Sequence, residues 1–134
     1  MERRLLELGN KYSLPIYRKI PDAQLIELKN TFPLIPSDFL TYLKVLGWIS
    51  YEHIETFGLG AEVPRFLNVI QVALSEQNYN NIFKEAIPLF NNGAGDIVFI
   101  SNDNSINILL HENNKIEKAI YKNIVDLLEH LLSF

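Results

Sequence analysis

Ile97-Val98-Phe99-Ile100, Ile106-Asn107-Ile108-Leu109-Leu110-His111 and Lys115-Ile116-Glu117-Lys118-Ala119-Ile120-Tyr121 follow one another, separated by little more than Asn102-Asp103-Asn104-Ser105 and Asn113-Asn114. β-Branched and aromatic residues suit extended chain. Asn, Asp and Ser clusters turn it. Links this short join antiparallel neighbours, because a parallel pair needs a crossover of a dozen residues or more. The run 97–100 shows no apolar–polar alternation and suits a central strand buried on both faces. Upstream, Ile87-Pro88-Leu89-Phe90 reads as a further short strand. Pro88 has no N–H to donate, so that strand belongs at an edge or an end. Asn91-Asn92-Gly93-Ala94-Gly95 between the two is turn chemistry. The stretch therefore predicts an antiparallel meander.

Helical patterns flank the meander. Asp22 stands as an N-cap after Pro21, with Leu25, Ile26 and Leu28 at helical spacing as far as Thr31 or Phe32. Pro33 and Pro36 break the chain, and Pro36 opens a second helix. Phe39, Tyr42, Leu43 and Leu46 then form one stripe, with Gly47 as its C-cap. Trp48 to Phe57 reads as a strand that leaves through Gly58 and Gly60. Pro64 opens a third helix with the stripe Phe66, Val69, Ile70 and Ala73, ended by Asn78-Tyr79-Asn80-Asn81. Asn123 caps a closing helix whose stripe is Ile124, Leu127, Leu128 and Leu131, with Asp126 favourably placed in its first turn. The reading is an α+β fold, a mainly antiparallel sheet flanked by helices, in the order helix, helix, strand, helix, meander, helix.

The chain has 134 residues and no cysteine. That length fits one domain with one core. Disulfides, thiolate catalysis and cysteine-based metal sites are excluded. The N-terminus, Met1-Glu2-Arg3-Arg4-Leu5-Leu6-Glu7-Leu8, is interrupted by charge and does not read as a signal peptide. No apolar run approaches the roughly 18 residues of a membrane span, so a cytoplasmic location is expected. Net charge is −4. Residues 1–67 hold 8 basic and 8 acidic side chains, residues 68–134 hold 4 and 8, so the acid excess lies entirely in the second half. Lys and Arg are absent between Lys84 and Lys115 and again from Val45 to Pro64. A nucleic-acid binder needs cations against phosphates. This pattern argues against one and suits a basic protein partner.

Catalytic and metal patterns are sparse. Gly93-Ala94-Gly95-Asp96 lacks the lysine and the following helix of a phosphate loop, and reads as a turn needing positive φ. His53, His111 and His130 form no metal-ligand spacing. His111 and Glu112 are strand neighbours that point to opposite faces. Ser101, His111 and Asp96 lack a nucleophile elbow. The carboxylate pairs Glu52 with Glu55 and Asp96 with Asp103 read as solvated acidic surface. Trp48, Tyr51 and Phe57 read first as core. Trp48 also fits an interface anchor beside Glu52 and Glu55.

Taken in order, these motifs resemble the SUKH superfamily, the Smi/Knr-like group of immunity and cell-wall-regulator proteins. Ile35-Pro36-Ser37-Asp38-Phe39-Leu40-Thr41-Tyr42-Leu43-Lys44-Val45-Leu46-Gly47 resembles that family's proline-led aromatic helix, and Asp22 to Phe32 the helix before it. Thr56-Phe57-Gly58-Leu59 is similar to its aromatic-glycine strand end, Ile87-Pro88-Leu89 through Gly93-Ala94-Gly95-Asp96 to its hairpin, and Leu110-His111-Glu112 to its histidine-glutamate strand end. Ile124 to Leu132 matches its closing helix. The family often has Asn-Gly where this chain has Leu46-Gly47, and few residues before its first helix. The resemblance covers residues 21–134. Residues 1–20 stand outside it as an N-terminal extension, read as an extra helix on the domain.

The resemblance implies no catalysis and no cofactor. It implies a bacterial immunity protein that binds and neutralises a cognate polymorphic toxin, often a nuclease. A basic nuclease domain and an acidic inhibitor face are complementary. Candidate partner-binding residues are Trp48, Glu52, Glu55, Asp96, Asp103 and Glu112, several of them expected on one rim of the sheet. No nucleic acid, membrane or metal partner is expected, and the chain is read as a monomer or weak dimer. One rival is a regulatory scaffold of the cell-wall branch. Another is an enzyme or small-ligand domain, for which His111 with Asp96 would be the place to look.

Overall fold

The computed structural model describes residues 1–134. Helices α1 (Glu2–Lys11), α2 (Asp22–Thr31) and α3 (Ser37–Val45) come first. A hairpin of β1 (Ile49–Tyr51) and β2 (Ile54–Thr56) follows, then α4 (Val69–Glu76). The meander β3 (Ile87–Asn91), β4 (Ile97–Ile100), β5 (Ile106–Leu110) and β6 (Lys115–Tyr121) leads into α5 (Ile124–Leu132). The four-stranded sheet is antiparallel throughout and runs in chain order. The fold is α+β with helices around an antiparallel sheet. No helix is long and apolar enough to cross a membrane.

β4 is buried at every residue. Its side chains alternate between two clusters. Val98 and Ile100 enter the main core of 28 buried residues, while Ile97 and Phe99 join a smaller cluster with Phe83, Ala86 and Leu109 on the opposite face. A 3₁₀ turn over Asn81–Lys84 supplies Phe83, whose ring meets Phe99 edge-on at 5.9 Å. β3 is an edge strand, and its register shifts between Pro88 and Phe90. The edge position removes the need for the N–H that proline lacks.

The α3 stripe is buried as its spacing predicts: Phe39, Tyr42, Leu43 and Leu46 are all at 1% exposure or less. Burying a side chain of this size contributes roughly 1.5–3 kcal/mol. Gly47 follows at φ +73° and its N–H returns to the Tyr42 carbonyl at 3.1 Å, which is the left-handed helix stop that glycine favours. In α5, Ile124, Leu127 and Leu128 are buried, and Asn123 Oδ1 accepts the Asp126 N–H at 2.9 Å as the N-cap. Residues 1–20 carry α1, whose Leu5 and Leu8 belong to the main core. Arg4 bridges to Asp126 and Glu129 on α5, and Lys44 on α3 to Glu2.

Four local expectations are corrected. Trp48 to Phe57 is not one strand: the chain reverses at Glu52-His53, and Tyr51 pairs with Ile54. Three-residue strands joined by two residues close their own hairpin, and the turn carries no glycine to mark it because Glu52 itself takes φ 53°. Asp22 is the first helical residue and Pro21 the cap position, with no side-chain cap bond. Ile26 faces solvent, so α2 buries only Leu28. The third predicted helix begins later: a 3₁₀ turn over Arg65–Leu67 precedes Asn68, whose Oδ1 accepts the Ile70 and Gln71 N–H groups. That change of geometry swings Phe66 out of the stripe to 64% exposure.

Candidate protein-binding face

The antiparallel meander puts the β3–β4 and β5–β6 turns at one end of the sheet and the β4–β5 turn at the other. Asp96 and Glu112 lie at the first end, Asp103 at the second. Asp96 and Glu112 share the first rim, with Glu55 near it across from Asn91 and Ile97, whereas Asp103 stands apart at the second. Asp103 accepts the Ser105 N–H at 3.0 Å and its hydroxyl at 2.6 Å, bonds that hold the carboxyl below its ordinary range. In the same turn Asn104 Oδ1 accepts the Asp38 N–H at 3.0 Å. The turn thus caps α3 from a distant part of the chain.

Asp96 is the tie of the opposite end. Its Oδ1 accepts the His111 backbone N–H at 3.1 Å and Nδ1–H at 3.0 Å, and its Oδ2 accepts Asn92 Nδ2–H at 3.0 Å. Asn92 Oδ1 in turn accepts the Ala94 and Asp96 N–H groups. Gly95, at φ +94°, lies against the imidazole: a Cβ there would stand 3.2 Å from His111 Nδ1. Glycine therefore meets both a backbone and a steric demand. The Asn92 side chain first, then the His111 ring and backbone N–H, lower the Asp96 carboxyl to about 2.

A pH dependence follows from that shift. Asp96 is more acidic folded than unfolded, so it stabilises the fold above its ordinary value of 3.8. The contribution disappears as pH falls from there toward about 2. Asp96→Asn is expected to flatten the acid limb of a stability curve measured by urea melts between pH 4 and pH 2. A slope identical to the parent's would show that the carboxylate is not tied in this way.

Glu52, Glu55 and Glu112 are exposed and make no ion pair or side-chain hydrogen bond. Glu52 occupies the hairpin tip, and Glu55 faces outward opposite Ser50 on β1. All four contacts between Lys or Arg and a carboxylate lie on α1, α3 and α5. Trp48 does not join the acidic group. It sits half-buried at the end of β1 remote from the tip, under the Arg18 guanidinium at 4.2 Å. Its Nε1 edge lies against Gly60, and burial lowers the Arg18 pKa. The three histidines are separate: His53 is at the hairpin tip, His111 on Asp96, and His130 between Tyr121 and Phe134. No three metal-ligating side chains come together.

A groove that sequence reasoning missed runs beside Glu55. It has a volume of about 700 Å³ and is walled by α4, the 3₁₀ turn before it and the strand ends at Asn91 and Ile97. Phe66 and Glu76 line it. The helical stripe places Phe66 in the core, and no spacing or motif singles out Glu76.

No protein-family model and no curated protein matches this chain.

Proposed function

We propose that this chain is a non-enzymatic protein-binding domain of the SUKH immunity type, which neutralises a basic toxin domain by covering it with an acidic face. The observation that carries the reading is a set of exposed carboxylates with no cation of the chain against them. Lys and Arg that contact carboxylates do so on the α1, α3 and α5 side, whereas Glu52, Glu55 and Glu112 stand exposed without a partner. Unneutralised carboxylates at turns and strand ends raise the encounter rate with a basic surface and leave the fold's own stability almost untouched. The order of motifs that resembles the family supports the same reading. Asp96 and Asp103 are structural in it: Asn92 and His111 occupy both Asp96 oxygens, and Ser105 occupies Asp103 Oδ1.

The test is co-expression with a basic toxin domain encoded beside this chain, followed by growth and co-purification. Rescue with a stable complex is expected. Glu52→Lys with Glu55→Lys is expected to slow association about 10- to 100-fold at low salt and to weaken its salt dependence, with an unchanged melting temperature. Failure of both rescue and complex formation would remove the immunity reading. Full binding by the double variant would remove the acidic hairpin from the interface.

A further inference from the structure

Glu76 is placed where an acid gains nothing from the fold. It is the last residue of α4, at the helix end where the dipole disfavours negative charge. It is partly buried, and burial alone raises its carboxyl above the ordinary range. No cation or hydrogen-bond donor of the chain meets its side chain. A buried-side carboxylate without a partner is destabilising.

The surroundings suit an incoming cation on an apolar stem. Glu76 and Ile97 line both the groove of about 700 Å³ and a second cavity of about 340 Å³ that reaches Tyr79, Gly95 and His111. Glu76 and Ile97 thus stand between the two spaces. Phe57, Leu67 and Val72 give the first an apolar lining, and Phe66 and Tyr79 stand beside the two spaces at 64% and 80% exposure. Glu55 lines the far side of the groove, and Arg65, its only cation, makes no ion pair with either acid.

We propose that this groove seats an extended segment of a partner protein, with one lysine or arginine side chain over Glu76 and neighbouring apolar side chains against Phe66 and Tyr79. An ammonium or guanidinium there meets the unpaired carboxylate and the negative end of α4 together, while its methylene stem covers the apolar lining. The inference rests on the reading of the chain as a binder of a basic protein and names where the basic segment lies.

The groove can be tested without the toxin. Isotope-labelled protein is titrated with acetyl-leucyl-lysyl-leucine amide, and separately with the glutamyl analogue, while backbone amide shifts are followed. The lysyl peptide is expected to give saturable shifts across Gln71–Glu76, Asn91 and Ile97, and the glutamyl peptide none. Glu76→Gln is expected to weaken lysyl-peptide binding at least tenfold while melting no lower than the parent, because it removes a partnerless charge. Phe66→Ala should weaken binding by a smaller factor. Equal response to both peptides, no saturable shift at the solubility limit, or unchanged binding by Glu76→Gln would each overturn the proposal. Lysyl-peptide binding without any toxin complex would leave the groove standing and remove the immunity reading. A toxin complex indifferent to Glu76→Gln would do the reverse.

Discussion

Gly58→Ala is expected to destabilise the chain by about 4 kcal/mol, a large part of the roughly 5–15 kcal/mol that holds a domain of this size. A Cβ at Gly58 would stand 1.8 Å from the Gly47 carbonyl oxygen and 2.8 Å from its carbon. Neither backbone can yield. Gly47 is pinned as the left-handed stop of α3, and its carbonyl accepts the Leu59 N–H at 3.0 Å. Phe57 donates its N–H to Leu89 of β3, Gly58 donates to Leu67, and Val69 donates to the Gly58 carbonyl. Residues 57–59 thus tie α3, β3 and the start of α4 together, and moving them breaks several buried hydrogen bonds at once. Gly93→Ala is the control. Nothing lies within 4 Å of its added Cβ, so only the positive φ counts, at about 1 kcal/mol. Thermal melts should separate the two by about 10 °C or more. Similar melting temperatures would mean that the close approach of Gly58 to Gly47 is not maintained.

Asn107→Leu is expected to cost about 2 kcal/mol through a single buried amide. Asn107 is 4% exposed on β5. Its Oδ1 accepts the Ala119 N–H at 2.8 Å, and its Nδ2 donates to the Ser101 and Ser105 hydroxyls at 2.9 and 3.2 Å. Between Ile106 and Ile108 the pairing of β5 with β6 shifts, and Ala119 in the displaced segment takes φ 54°. The side chain replaces a ladder bond that the irregularity removes. Leucine is similar in size but offers neither acceptor nor donor, so the Ala119 N–H and the Ser101 hydroxyl lose their partner, while Ser105 keeps its bond to Asp103. Urea melts measure the cost, and hydrogen exchange at Ala119 should quicken more than at other β6 amides. A loss below about 0.5 kcal/mol would show that water substitutes freely for the amide.

The two residues differ in how far the sequence announces them. Gly58 lies in a glycine-bearing exit from an aromatic run, so a break is legible there, but its contact with Gly47 is not. Asn107 sits inside an apolar run and reads as an outward polar position. The candidate face shows the same division. Glu52, Glu55 and Glu112 were recognisable as acids without neighbouring cations. Asp96 and Asp103 have the same composition signal, yet Asn92 and distant His111 engage the first, and Ser105 in its own turn engages the second.

What the sequence determined by itself is what local geometry controls. The spacing of Phe39, Tyr42, Leu43 and Leu46 fixed a buried helix face, Gly47 its end, Asn123 the start of α5, and the unbroken run 97–100 a strand buried on both sides. Each depends on the 3.6- or 2-residue period and on turn chemistry within a few positions. Tertiary structure decided the rest. It folded 49–56 into a hairpin, turned Phe66 outward, capped α3 with Asn104, tied Asp96 to His111, and left Glu76 unpartnered in a groove. These outcomes depend on which distant groups arrive within hydrogen-bonding or van der Waals range, and no local period encodes that distance.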